Sequence, residues 1–189
     1  GTPDINAIRA ELSWGDYKMA YIQRSRGYSL RPSLSVDKIG ELCNVVREVS
    51  PNTVIMVDNC YGEFVETREP CEVGADIIAG SLIKNAGGGI APTGGYIAGK
   101  SKYVEMCAGR MTAPGVGREV GASLGHNREL YMGLFAAPHV TAAAALILSA
   151  DSTKNPEFVK QLLISTANVN GEGTGILDIK NALDTLPDF

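Results

Sequence analysis

A chain of 189 residues is long enough for one ordinary domain with a real core. Its 44% hydrophobic and 20% charged content lies in the globular range and excludes collagen, disorder and a coiled coil. A net charge of −4 and a pI near 5.2 argue against nucleic acid as a main partner, because phosphate binding needs a basic face.

In chain order, residues 5–12 carry a short helical pattern. YKMAYIQ (17–23) reads as a buried strand, and RSRGYSLRPS (24–33) as a loop, since Gly, Ser and Pro break any periodicity. Ser35 is placed to cap a helix whose Val36, Ile39, Leu42, Val45 and Val46 recur at helical spacing, with Pro51 ending it. TVIMVD (53–58), a continuous apolar run closed by an acid, suits a strand of a buried parallel sheet. ADIIAGSLIK (75–84) predicts another short strand, NAGGGIAPTGG (85–95) a flexible loop, YIAGK (96–100) a strand and SKYVEMCAGR (101–110) a helix. Residues 112–134 begin as a glycine-rich loop and turn helical. Strands alternating with helices through short glycine loops argue a three-layer α/β/α fold with a mostly parallel sheet.

The last part differs in texture. HVTAAAALILSA (139–150) is a uniformly apolar helix, so a buried one is expected. Asn155-Pro156-Glu157 opens a helix over EFVKQLLISTAN, GEGTG (171–175) is a loop, and ILDIKNALDTL (176–186) closes with a short helix. The run Val140 to Ala150 is about half the length a bilayer crossing needs, so no membrane is expected, and the polar start GTPDINAIRAEL is no signal peptide. Cys43, Cys60, Cys71 and Cys107 form no C-x-x-C pair and have only two histidines to help them, so no metal site is expected. Reduced thiols in a cytoplasmic chain are the expectation.

Two residues stand out chemically. Asp58 closes the apolar strand at 53–58 and faces the crevice where α/β proteins bind ligands, or else caps a loop. Lys84, in GSLIKNAGGG, ends the next strand before three glycines; it is either a surface lysine or one whose desolvation lowers its pKa and makes the amine nucleophilic. Together, an acid and a lysine 26 residues apart on successive strands match what pyridoxal 5′-phosphate requires. The lysine forms a Schiff base with the aldehyde, and the acid keeps the pyridine nitrogen protonated so that the ring acts as an electron sink. Ser81, three residues before Lys84, is placed to donate its hydroxyl to the phosphate.

VDNCYGEFVETREPCEVGADIIAGSLIKNAGGGIAPTGGYIAGK, with YIQRSRGYSLRPSLSVDKIGEL upstream and GREVGASLGHNRELYMGLF downstream, resembles the aluminium-resistance or methionine gamma-lyase-like family of pyridoxal-phosphate enzymes of fold type I. The resemblance covers about residues 3–139. It implies Lys84 as the catalytic lysine, Asp58 and Ser81 as cofactor-binding residues, an antiparallel TGGYIAG strand, an amino-acid substrate and a homodimer. Cys60 either lines the ring or is a packed thiol. Gln23, Arg24 and Arg26 either face the ring or substrate carboxylate or form a solvated basic loop. The implied chemistry is elimination of a sulfur leaving group after α-proton abstraction. Family members are roughly twice this long, so impaired or absent catalysis is expected, and a non-catalytic α/β interaction module is the competing reading.

From about residue 137, AAPHVTAAAALILS, NPEFVKQLLISTAN and GTGILDIKNAL resemble the C-terminal segment of subtilisin-like serine proteases. Leu134 stands at that family's nucleophile position, so no acyl chemistry is expected, and His139 reads as a packing residue. A join at the shared A-P-H-V stretch implies a chimera, with residues 1–136 a partial large domain and 137–189 a helical segment packed on it.

Overall fold

The computed structural model describes residues 3–111, 113–119, 121, 124–169 and 175–186. The chain divides into two units, Gly1–Leu134 and Phe135–Phe189.

The first unit is α/β, with a mostly parallel sheet and flanking helices. Its elements are α1 (Ile5–Trp14), β1 (Met19–Gln23), α2 (Val36–Val49), β2 (Val54–Asp58), β3 (Ile77–Ser81), β4 (Gly95–Gly99) and α3 (Ser101–Ala108). The Asp4 carboxylate caps α1 by accepting from the Ala7 amide at 3.0 Å, and the Ser35 hydroxyl caps α2 by accepting from the Lys38 amide at 3.2 Å, as its sequence position predicts.

The strands lie in the order β1-β2-β3-β4. β1, β2 and β3 are parallel, and β4 runs antiparallel to β3, as the family resemblance implies. Gln23 sits beside Asp58, Asp58 beside Ala79, and Ser81 beside Gly95. Two parallel neighbours therefore end together, which brings the ends of β2 and β3 to one edge of the sheet.

The core lies between the sheet and α1 and α2. Ile39, Ile55 and Val57 are fully buried, and Leu12, Ile22, Leu42, Val46 and Ile78 pack with them. Each such side chain contributes about 2 kcal/mol through its removal from water. The strands predicted as buried are buried on this face alone. Met19 and Tyr21 of β1 are exposed, and Val54, Met56 and Asp58 of β2 are half-buried, so burial alternates along both strands with the two-residue period of the pleat. β3 also stops three residues short of its predicted end, at Ser81. Lys84 instead immediately precedes a single 3-10 turn, Asn85–Gly87.

α4 (Asn127–Ala150) begins in the first unit and continues through the second. The second unit adds α5 (Pro156–Thr166), a two-stranded antiparallel pair of β5 (Asn168–Val169) and β6 (Gly175–Ile176), and α6 (Ile179–Asp184). Asn155 caps α5 through the Phe158 amide at 2.9 Å, as expected. Most of the predicted GEGTG loop lies outside the described residues.

Three expectations about α4 fail. Ala143 and Ile147 are fully buried, but Val140, Leu146 and Leu148 are exposed, because only one stripe of the helix packs with α5 and α6. The helix also extends well before the apolar run. At 24 residues it is long and apolar enough, by length and composition, to cross a bilayer. His139 is exposed rather than packed, and its Nδ1 lies 2.6 Å from the Phe135 carbonyl oxygen.

Candidate functional site

The carboxyl ends of parallel strands form the crevice where α/β sheets bind ligands. Here that crevice is a cleft of about 360 Å³, lined by Tyr21, Met56, Asp58, Cys60, Ala79, Gly80 and Ser81, with Gly94 and Gly95 opposite. Asp58 and Ser81 are thus brought to one place. Lys84 is half-buried, and its ammonium lies within electrostatic reach of the Cys60 thiol and of Asp58.

Asp58 is well supplied with donors. Its Oδ1 accepts from the Cys60 amide at 3.0 Å and its Oδ2 from the Tyr21 hydroxyl at 3.1 Å. Burial pushes its pKa up, but these bonds, the Cys60 thiol and the nearby Lys84 charge outweigh it, and the carboxyl sits below its ordinary range. It is therefore an anion at neutral pH.

The Lys84 amine is not the depressed amine expected from its sequence position. The hydrogen bond to Cys60 raises its pKa, burial lowers it by less, and Tyr61 and Asp58 add to the rise. The ammonium stands 4.6 Å from the centre of the Tyr61 ring, a cation–π contact. Leaving the strand three residues early keeps the amine out of the apolar surroundings that would have lowered its pKa. Ser81 Oγ accepts weakly from the Ile83 amide at 3.4 Å, which leaves its own proton free to donate.

Behind this site lies a second polar cluster. Arg24 is buried, 3% exposed, and cannot serve the cleft. Its guanidinium donates to Asn59 Oδ1 at 2.8 Å and pairs with Glu66 at 2.8 Å and Glu69 at 3.5 Å. Asn59 Nδ2 donates to Glu69 at 2.9 Å and to the Tyr96 hydroxyl at 3.1 Å. Tyr96 donates to Glu63 Oε1 at 2.7 Å. Glu66 also accepts from the Val36 amide at 2.9 Å, which ties this cluster to the start of α2. Of the basic loop, Arg31 spends its guanidinium on the Gln23 and Ser25 carbonyls, Arg26 is exposed, and Gln23 is exposed beside Asp58.

The loop between the clusters is strained. Among the described residues three non-glycines have positive φ, and two are in this loop, Tyr61 (66°) and Phe64 (63°). Each costs of order 1–3 kcal/mol. Sequence reasoning missed Tyr21 and Tyr61. Tyr21 was legible in principle, since the two-residue period of β1 puts it on the same face as Gln23. Nothing in the sequence signals a left-handed tyrosine.

Residues 1–155 match the sequence model of the methionine gamma-lyase family. The match runs past residue 137, where a borrowed tail was expected to begin. YnbB, an uncharacterized protein of Bacillus subtilis (strain 168), is 54% identical over 142 residues, 75% of this chain and 34% of YnbB. A solved structure from Listeria innocua, of a protein named as involved in aluminum resistance, is 58% identical with a TM-score of 0.69, over 74% of this chain and 34% of that one. The pyridoxal-5′-phosphate dependent protein YhfS of Escherichia coli shares the fold at 15% identity and a TM-score of 0.53, over 85% of this chain and 38% of that one. The chain spans about a third of the length of YnbB and of the Listeria innocua protein.

Proposed function

Because the chain belongs to the methionine gamma-lyase family, we propose that it carries the cofactor-anchoring strands of a pyridoxal-phosphate-dependent carbon–sulfur lyase acting on a sulfur amino acid. The observation that carries this reading is the Asp58 carboxylate, held as an anion in a cleft that it shares with Ser81, with the Lys84 ammonium in electrostatic reach.

The donor set fits the group. Asp58 offers a fixed negative charge for a protonated ring nitrogen, Lys84 an amine for an aldehyde, and Ser81 a free hydroxyl proton for a phosphate oxygen. When bound, the cofactor supplies an aldehyde for the substrate amine and a ring that withdraws electrons from the α-carbon. The protein's part is then to place charge and protons. Asp58 would hold a positive charge at the ring nitrogen of the bound group. Lys84 takes the proton from the substrate α-carbon, and it must first give up the proton that Cys60, Tyr61 and Asp58 hold on it.

The test is an absorbance spectrum with added pyridoxal phosphate. A band near ~420 nm that is absent from Lys84→Ala supports the reading. A folded sample with no band refutes cofactor binding and favours a non-catalytic α/β module.

A further inference from the structure

The loop that follows Asp58 is fixed at points on both sides of Tyr61. Asn59 is 1% exposed and bonded to Arg24, Glu69 and Tyr96. Gly62 packs so closely on Arg24 that an added methyl group would lie 2.4 Å from Nη1, and its amide donates to the Asn59 carbonyl at 2.8 Å. With Asn59 and Gly62 pinned, Tyr61 takes a left-handed backbone that tyrosine disfavours. The tyrosine is 58% exposed, so burial of its ring does not account for its presence. What the ring does touch is the Lys84 ammonium, at 4.6 Å.

We infer that Tyr61 is a positioning residue for Lys84, its ring held over the amine at the expense of backbone strain so that Nζ stays beside Cys60 and Asp58. Cysteine, carboxylate and ring together then set the protonation of the amine. Backbone strain that survives at an exposed side chain, and points it at a reactive group, is the pattern of a site rather than of a core. The inference rests on the lyase reading for its meaning. The contact itself exists without cofactor, so the two can be tested apart.

The experiment is competitive lysine acetylation of the full cofactor-free chain across pH 7–11, followed by mass spectrometry, with thermal unfolding of each variant. In Tyr61→Gly, which accepts the left-handed backbone, Lys84 loses a stabiliser of its charged form. Its acetylation rate below the midpoint is expected to rise about threefold, a fall of roughly half a pKa unit. Lys100, paired with Asp76 away from the cleft, should be unchanged. The thermal midpoint should hold or rise as strain is relieved. Tyr61→Phe, which keeps the ring, should match the unaltered chain. Tyr61→Asn, which also tolerates positive φ, is the second variant should Tyr61→Gly fail to fold. A Lys84 rate unmoved in a folded variant, or moved equally in Tyr61→Phe, overturns the inference. A shifted Lys84 rate in a chain that gives no ~420 nm band with pyridoxal phosphate would sustain the tyrosine's role and overturn the lyase reading instead.

Discussion

Asp58 and Asn59 are chain neighbours, yet they belong to two regions built on opposite rules. Asp58 turns to the open face, among half-exposed groups whose polar atoms are partly unspent: Ser81, Cys60 and Lys84. Asn59 turns to the packed face, where Arg24, Glu66, Glu69, Tyr96 and Glu63 satisfy one another. One oxygen, Glu63 Oε2, is buried without a partner. The rear cluster fixes the loop, and the front inherits a rigid place to work. A buried network is expensive to disturb, whereas a site must keep groups available. The two requirements are met here by successive residues where β2 ends, Asp58 closing the strand and Asn59 following it.

The sharpest way to break that division is at its rear. Arg24→Ala leaves Asn59, Glu66 and Glu69 without their shared cation and should cost about 3 kcal/mol in urea unfolding. It should also disorder the front, so cofactor absorbance falls with stability. Next, Gly80→Ala puts a methyl group 2.4 Å from Glu63 Oε1 and from Tyr96 Cε1. About 2 kcal/mol of destabilisation is expected by thermal unfolding, from overpacking.

A third disturbance tests whether acid reaches the framework before the site. Asp76 is buried, accepts from the Ile55 amide at 2.7 Å and pairs with Arg47 and with Lys100 at 2.7 Å. Burial raises its pKa, but these partners outweigh it and hold the group below its ordinary value of 3.8. A carboxyl lowered on folding stabilises the native state above its unfolded pKa, and that contribution is lost as pH falls through the folded one. Unfolding free energy should therefore decline below about pH 4, and Asp76→Asn should flatten part of that decline while costing about 2 kcal/mol at neutral pH.

The smallest effect lies at the front. Tyr21→Phe removes one donor from Asp58 and should leave stability within about 0.5 kcal/mol. Titration of the ~420 nm band should show the cofactor dissociation constant rising about threefold, the worth of one modest hydrogen bond.

The front of this division was largely legible in the sequence and the rear was not. An apolar run closed by Asp58, and a Ser81-to-Lys84 segment ahead of three glycines, are local signals, and both lead to the cleft. Arg24 reads locally as part of a basic loop, because its partners Glu66 and Glu69 lie more than forty residues on and only the sheet brings them together. The pKa of Lys84 was misjudged for a related reason. Three residues of apparent strand, Leu82 to Lys84, are turn, and a backbone turn decides whether an amine meets apolar surface or a thiol, a ring and a carboxylate. In the tail, an apolar run gives the helix but not which of its faces finds a partner.

The alternation at Asp58 and Asn59 also sets what kinds of genetic lesion this segment tolerates. Exchanging one side chain removes one contact. Deleting or adding a single residue within Val54–Asp58 inverts parity, so the Asp58 carboxylate would point into the packed layer and the Asn59 amide into the cleft. Any recombination within this segment must therefore preserve frame in a second sense, odd positions inward and even positions outward, as strictly as it preserves codons.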